Sequence, residues 1–377
     1  MKVLILWSGA VVPAYRQFFL ELSRHARVRV LSPRGWTHGS RAFASAASAA
    51  GGSAPGCEIV ETAYLPRGSS RYWVPALWWH LWMYRPSYLY IMDEMDRPSL
   101  AWHALLARLV WPPVRIVNYA LQNLPAPGYY RWHHRLATRL NQALVSRSIA
   151  ASGEAEDVLK ANGFRKPTAV IPLWGSEAWF RPGTAEARAA FRARQGVPPG
   201  ATLILFAGSM VEAKGLSLLA DALPGFPALK VLSAGNGPLA QSIPARLGAQ
   251  WRHLGSLDAE ALREFYQAGD YVILPSLTMP DWKEQVGRAL IEGILCGCVA
   301  LGSDSGHIPQ LTLLPQASFA QGDAGSLAAL LARLPLADAD TVRAAQRRNV
   351  EARFTAAATA RATWEFLAPP IPALAAA

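Results

Sequence analysis

Short apolar runs recur along the chain. Most end in a turn of glycine, serine or proline, and a stretch with helical spacing follows. Val3-Leu4-Ile5-Leu6 and Leu203-Ile204-Leu205-Phe206 are two plain cases. Runs that are apolar on both faces suit strands buried under helices. Parallel strands in turn need a crossover helix between them. Strand and helix alternating at this length predict parallel sheets covered on both faces, with right-handed crossovers.

The N-terminal half gives strands at 3–7, 28–31, 88–92, 115–119, 148–151 and 169–172, and helices near 15–25, 100–110 and 130–144. Residues 37–56, rich in Ala, Ser and Gly, read as a mobile loop. Residues 173–200 carry prolines, glycines and one short helical pattern, and read as a linker region. The second half gives strands at 202–207, 230–234, 251–254, 271–274 and 299–302. Its helices fall at 214–223, 260–268 and 285–296, with a last helix at about 344–366 and a fraying tail. The expected domains are 1–172 and 173–350, with 351–377 as a terminal helix and tail. A length of 377 residues allows two domains, each with its own core. The cleft between them lies where open parallel sheets bind ligands, beyond the carboxyl ends of the strands.

Composition narrows the function. Hydrophobic residues make up 51% and charged residues 17%, which excludes a disordered chain. The formal charge of +11 favours anionic partners. Basic residues are scattered and no nucleic-acid module is recognisable, so no nucleic-acid partner is expected. Cys57 stands alone. Cys296 and Cys298 are too close for an unstrained disulfide and too few for a zinc site, so all three read as small buried thiols in a reducing, cytoplasmic compartment. The start of the chain reads as a strand rather than a signal peptide, and no apolar run is long enough to span a bilayer.

Candidate site residues gather after the predicted strands. Gly208 and Ser209 follow one strand, and Lys214 lies near a helix start, where backbone N–H groups and an ammonium suit a diphosphate. A solvated loop lysine is the plainer alternative. Glu284 and Glu292 are eight residues apart, a helical rise of about 12 Å, roughly the reach from a ribose to the far hydroxyls of a hexose across a diphosphate. Glu292 would take ribose hydroxyls and Glu284 sugar hydroxyls, because carboxylates accept strong charge-assisted hydrogen bonds. Gly287 between them leaves room for the diphosphate. A helix with two solvated acids is the alternative. The 302–309 turn is a weaker candidate.

In the N-terminal half, the backbone of Gly9 follows the first strand and could approach phosphates. The dinucleotide fingerprint is absent, which counts against an NAD-dependent dehydrogenase. Asp93 and Glu94, then Gln122 and Asn123, follow later strands and are candidates for orienting an acceptor hydroxyl. A helix-capping role before Leu100 competes for the acids. Trp78 and Trp82, with Trp79 and Met83, mark one helical face between Arg71 and Arg85. Core packing is the plain expectation, and a membrane-interface or acceptor-stacking surface the sharper one.

Taken together, these motifs resemble the retaining family 4 glycosyltransferases, which have the GT-B fold of two facing Rossmann-like domains. Glu284 to Glu292 resembles the Glu-x7-Glu motif, and the 208–215 segment the phosphate loop. The turn at Gly235-Asn236-Gly237-Pro238 resembles the family's Gly-x-Gly-Pro turn, and 302–309 the turn that follows. Asp93-Glu94 with Pro98-Ser99-Leu100-Ala101, and Asn123-Leu124, resemble a bacterial subgroup.

The resemblance implies a terminal helix returning to the N-terminal domain and a metal-independent, cofactor-free transfer. It places Glu284 and Lys214 in the catalytic site. Donor contacts fall on Gly9, Gly208, Ser209, Gly237, Gln285, Gly287, Arg288 and Glu292. The donor is a nucleotide-sugar, UDP-sugar preferred over GDP-mannose. The acceptor is a hydroxyl of a saccharide, a lipid-linked saccharide or a small metabolite. Peripheral contact with the inner membrane face is expected alongside. One departure is Ser209, where many members carry arginine; Lys214, with Arg288 or an N-terminal residue, would then carry more of the diphosphate. A nucleotide-sugar 2-epimerase and a non-catalytic sugar-nucleotide-binding protein remain the rival expectations.

Overall fold

The structure is a computed structural model and describes residues 1–38, 41–43, 53–66, 72–125 and 132–368. The N-terminal half runs β1 (Lys2–Leu6), α1 (Gln17–Ser23), β2 (Arg27–Pro33), a small hairpin of β3 (Trp36–His38) and β4 (Arg41–Phe43), β5 (Ser53–Ala54) and β6 (Cys57–Thr62). It continues through α2 (Leu77–Tyr84), β7 (Tyr88–Ile91), α3 (Pro98–Val110), β8 (Arg115–Ala120), α4 (Trp132–Leu144), β9 (Arg147–Ala150), α5 (Gly153–Ala161) and β10 (Thr168–Val170). These make an eight-stranded sheet of order β10-β9-β8-β7-β1-β2-β6-β5. Every pairing is parallel except β5 with β6.

The second half runs α6 (Ala185–Arg194), β11 (Thr202–Ala207), α7 (Leu216–Ala222), β12 (Leu229–Ala234), α8 (Leu239–Leu247), β13 (Trp251–His253), α9 (Ala259–Ala268) and β14 (Tyr271–Leu274). Then come α10 (Arg288–Leu295), β15 (Val299–Ser303), α11 (Pro309–Thr312), β16 (Ser318–Phe319), α12 (Ala324–Leu331), α13 (Ala339–Arg353) and α14 (Ala356–Leu367). Its sheet is wholly parallel, in the order β13-β12-β11-β14-β15-β16. The central strands β14 and β15 are buried from end to end and β11 through its middle, as burial on both faces requires.

Several of the expectations change. The single last helix is two, because Thr355 caps a new start by accepting the Ala358 amide at 3.2 Å. The tryptophan-rich segment is α2, but only Leu77 and Leu81 face the core; Trp78, Trp79, Trp82 and Met83 are exposed. The 37–56 loop lies partly outside the described residues, and within it the two hairpin strands and β5 are ordered pieces. The three cysteines are free and buried, and burial pushes the Cys57 thiol up to about 11.

The two halves are joined by packing as well as by chain. Trp174 stacks on Phe18 at 4.0 Å, and its indole donates to the Tyr15 carbonyl at 3.2 Å. Helix α14 returns to pack on α1, and Trp364 stacks against His25. No helix among the described residues is long and apolar enough to cross a membrane.

Candidate functional site

Beyond β11 the chain makes a short 3-10 turn, Glu212–Lys214, before α7. Lys214 therefore sits ahead of the helix rather than in it, and its ammonium points across the mouth of the sheet. Nζ lies 2.5 Å from Glu284 Oε2 and 4.7 Å from the centre of the Trp282 ring. Glu284 is buried. Its Oε2 also accepts from Ser276 Oγ at 2.9 Å, and its Oε1 from the Gly287 amide at 3.3 Å. Its backbone carbonyl accepts from Asn123 Nδ2 at 3.1 Å, which links the two halves across the cleft. A carboxylate held by three groups, an ammonium, a hydroxyl and a backbone amide, is fixed before any ligand arrives.

The two acids are not on one helix. α10 begins at Arg288, so the residues from Glu284 to Gly287 are loop and the helical rise of about 12 Å does not apply. Gly287 enters the helix with φ +73°, a left-handed conformation that glycine adopts without strain. A Cβ there would meet Leu311 and Leu274 at 3.2 and 3.5 Å, so helix entry by itself already calls for glycine at this position. Glu292 lies one turn into α10, buried, with Oε1 accepting from Arg288 at 3.0 Å.

Two cavities abut here. The larger, about 740 Å³, is lined by Lys214, Trp282, Glu284, Gln285 and Gly287, with Leu121 from the N-terminal half and Leu173 at the junction of the halves. The smaller, about 320 Å³, is lined by Glu292, Asn236, Ser256, Leu257, Leu262 and Tyr266. Ala207, Gly208, Ser209, Arg288 and Ala289 line both. The first turn of α10, which has no capping side chain, thus stands at the junction. Arg288 stands there too. It stacks 4.0 Å over the Tyr15 ring, donates to the Tyr15 hydroxyl and to Glu292, and keeps a buried Nε–H with no partner among the described residues.

The remaining candidates fall elsewhere. Gly9 is buried beside the Trp7 ring, and a Cβ there would meet that ring at 2.4 Å; it lines neither cavity. Gly237 lines neither as well. A Cβ on it would meet the Met210 carbonyl at 2.4 Å, so it lets the turns after β11 and β12 pack together. Glu94 spends its carboxylate on the Leu121 amide at 2.9 Å and the Gln122 amide at 3.3 Å. Burial pushes it up to about 8, against the pull of those amides and with the help of neighbouring Asp96. Asp93, raised to about 6 by burial, accepts from Ser99 and from the Glu94 amide. Neither acid supplies the N-cap of α3, which is Arg97 with Pro98 in the first turn. Gln122 donates to the Leu124 carbonyl at 3.0 Å. These residues order the loop beyond β8 and the cleft contact; none of them lines either cavity.

Tyr15, Ser276 and Trp282 belong to the site and were not singled out from sequence. Ser276 and Trp282 lie in the loop beyond β14 that carries Glu284, which is the one signal that could have found them. Tyr15 comes from the other half and is brought in only by the fold. Among the described residues no group of three or more His, Cys, Asp or Glu is placed to hold a metal ion.

Known proteins bear on this geometry. Two facing parallel-sheet α/β domains with the cleft at their strand ends define the GT-B fold. HepE from Anabaena, in complex with UDP and glucose, superposes with a TM-score of 0.72 at 16% identity, covering 97% of this chain and 99% of that one. Residues 201–335, within the C-terminal half, match the family described as Glycosyl transferases group 1. A D-inositol 3-phosphate glycosyltransferase from Streptomyces bingchenggensis is 30% identical over 185 residues, 44% of this chain and 39% of that protein. One from Xylanimonas cellulosilytica is 28% identical over 228 residues, 56% of this chain and 53% of that protein. The chain thus spans between about two-fifths and one half of the curated relatives it matches.

Proposed function

We propose that this chain is a retaining glycosyltransferase that moves a sugar from a nucleoside-diphosphate sugar, UDP-sugar preferred, to an acceptor hydroxyl without a metal. The observation that carries the reading is the pair of abutting cavities, with an acid in each and cations at their junction. The nucleoside takes the smaller cavity, with Glu292 on the ribose hydroxyls and Leu257 and Leu262 beside the base. The pyrophosphate lies across the junction, where Lys214, Arg288 and the open turn of α10 meet its charge. Lys214 has three donors, so its bond to Glu284 leaves others for a phosphate oxygen. Glu284 holds sugar hydroxyls in the larger cavity.

The anomeric C–O bond breaks through an oxocarbenium-like state, and the electron pair leaves with the pyrophosphate, whose charge the fixed cations stabilise. The acceptor oxygen bonds to the same face of the sugar, and its proton goes to the departing phosphate oxygen. Asp93, Glu94, Gln122 and Asn123 order the acceptor side of the cleft. The acceptor is a hydroxyl of a saccharide, a lipid-linked saccharide or a small metabolite. The group 1 match over residues 201–335 and the UDP held by the Anabaena protein of this fold support the reading.

A thermal-shift panel tests it, since a ligand that binds only the native state raises the melting temperature. UDP and UDP-glucose should raise it. Lys214→Ala and Glu292→Gln should each weaken UDP binding by about tenfold or more, the loss of about 1.5–3 kcal/mol expected for a charge-assisted bond. Unchanged affinity by calorimetry in both folded variants defeats the assignment. Epimer formed from donor alone would favour a 2-epimerase. Tight donor binding without turnover on a broad acceptor panel would favour a non-catalytic binder.

A further inference from the structure

Three helices on one side of the N-terminal sheet turn apolar side chains outward. In α2, Trp78 and Trp82 stand four apart and are each 51% exposed. In α3, Leu105 and Leu109 have the same spacing, and Leu109 is 73% exposed. In α4, Trp132, Leu136 and Leu140 form a stripe two turns long, and Trp132 is 75% exposed. That helix is built inside out: its buried face carries His134, Thr138 and Asn141. Helix α2 packs on α3 and α3 on α4, so the stripes lie side by side on one layer. A folding requirement would put these residues inward, and a surface of this extent marks a binding face.

Charge says what binds it. Between Thr62 and Gly153 the sequence has ten arginines and three acids, Asp93, Glu94 and Asp96. None of the acids is on α2, α3 or α4. Asp96 is buried, and the carboxylates of Asp93 and Glu94 are tied to Ser99 and to the amides beyond β8. Arg85, at the end of α2, and Arg135 and Arg139, beside the α4 stripe, are exposed. A protein partner's rim usually asks for charges of both signs. Glu58, the acid beside α2, is paired with Arg29 at 2.7 Å, and Lys166 holds the last carbonyls of α4, so the charge bordering the tryptophan and leucine stripes is mainly cationic. Such stripes match the interfacial layer of an anionic bilayer, where the rings sit at headgroup depth and the guanidinium groups meet lipid phosphates.

We propose that the α2–α3–α4 face docks this protein on an anionic lipid surface. The proposal stands on this face alone and needs no assumption about the cleft. Flotation of the full chain tests it, with vesicles of phosphatidylcholine alone or with about a third phosphatidylglycerol. The chain should float with the anionic vesicles and stay behind with the neutral ones, and high salt should weaken the binding. Trp78→Ser with Trp82→Ser should reduce the floated fraction at least tenfold, and so should Arg135→Glu with Arg139→Glu. Unchanged melting temperatures exclude unfolding, because all four side chains lie outside the core. The proposal fails if the chain floats with neither vesicle, or if both double variants float like the parent. It also fails if the parent is a dimer in solution that the tryptophan variant makes monomeric, since the face would then be covered by a second copy.

Discussion

Arg288 and Ser209 both line the junction of the two cavities. A serine hydroxyl carries no charge and cannot clamp a pyrophosphate bidentately, whereas a guanidinium can. Arg288 is already oriented for that role by the Tyr15 ring and by Glu292, and its Nε–H still has no partner. We therefore expect Arg288→Ala to weaken UDP binding by about 1.5–3 kcal/mol, or roughly ten- to a hundredfold, measured by calorimetry. Arg288→Lys should recover only part of it, because an ammonium loses both the fork and the stacking. Adding Ser209→Arg to Arg288→Ala should restore affinity if the junction needs a second cation rather than this particular side chain. An Arg288→Ala variant that binds UDP as well as the parent places the pyrophosphate elsewhere. At this scale spacing and position after strands pointed to Glu284, Glu292 and Lys214, while Arg288 came only through the family resemblance. The sequence could not show Tyr15, whose part depends on a neighbour 273 residues away along the chain.

Elements were legible where burial is complete. β11 and β14 fall on the expected residues because an apolar run between helices has little other use. β6 was missed, since Glu58 and Glu61 interrupt its pattern near the edge of the sheet. The break before α14 was missed because neither glycine nor proline marks it; a threonine does the capping. Core packing was the plainer expectation for the tryptophan face of α2, with a surface as the alternative, because spacing gives a helix its stripe but not the side on which the sheet lies. The start of α10 was misplaced by a few residues, and those residues decide how the acids are held. Gly287 sets that start with its left-handed backbone. Gly287→Ala should cost about 1–2 kcal/mol in urea denaturation, the usual penalty for an L-residue in that region. It should also weaken donor binding, because the turn it opens carries Arg288 and positions the amide that Glu284 accepts. If stability falls and UDP affinity does not, the α10 entry is a folding device alone.

At the scale of the molecule, the halves are joined by two attachments of unequal strength. On one side the two chain crossings run together: the Gly175 amide donates to the Phe354 carbonyl at 2.8 Å, and the Ala356 amide to the Gly175 carbonyl at 3.1 Å. Glu177 accepts from the amides of Ala356 and Ala357, Trp174 is keyed between Phe18 and Trp7, and α14 lies on α1. Little of this can come apart without exposing core. On the cleft side the links are polar: Asn123 to the Glu284 carbonyl, Lys283 to Glu154 at 2.5 Å, and Arg288 to Tyr15. A solvent-accessible, half-buried pair such as Lys283–Glu154 is worth about 1 kcal/mol, and a single neutral hydrogen bond about 0.5–1.5 kcal/mol. Two-domain enzymes of this build close by hinge motion that excludes water, and the weaker side is the one that opens. Asn123→Ala with Glu154→Ala should therefore enlarge the radius of gyration of the free protein in small-angle scattering, and UDP should draw it back by bridging Arg288 and Lys214 from within. The melting temperature should move little, because the hinge packing is untouched. If the radius does not change while the acceptor KM rises, Asn123 serves the acceptor and the cleft is held shut by other contacts.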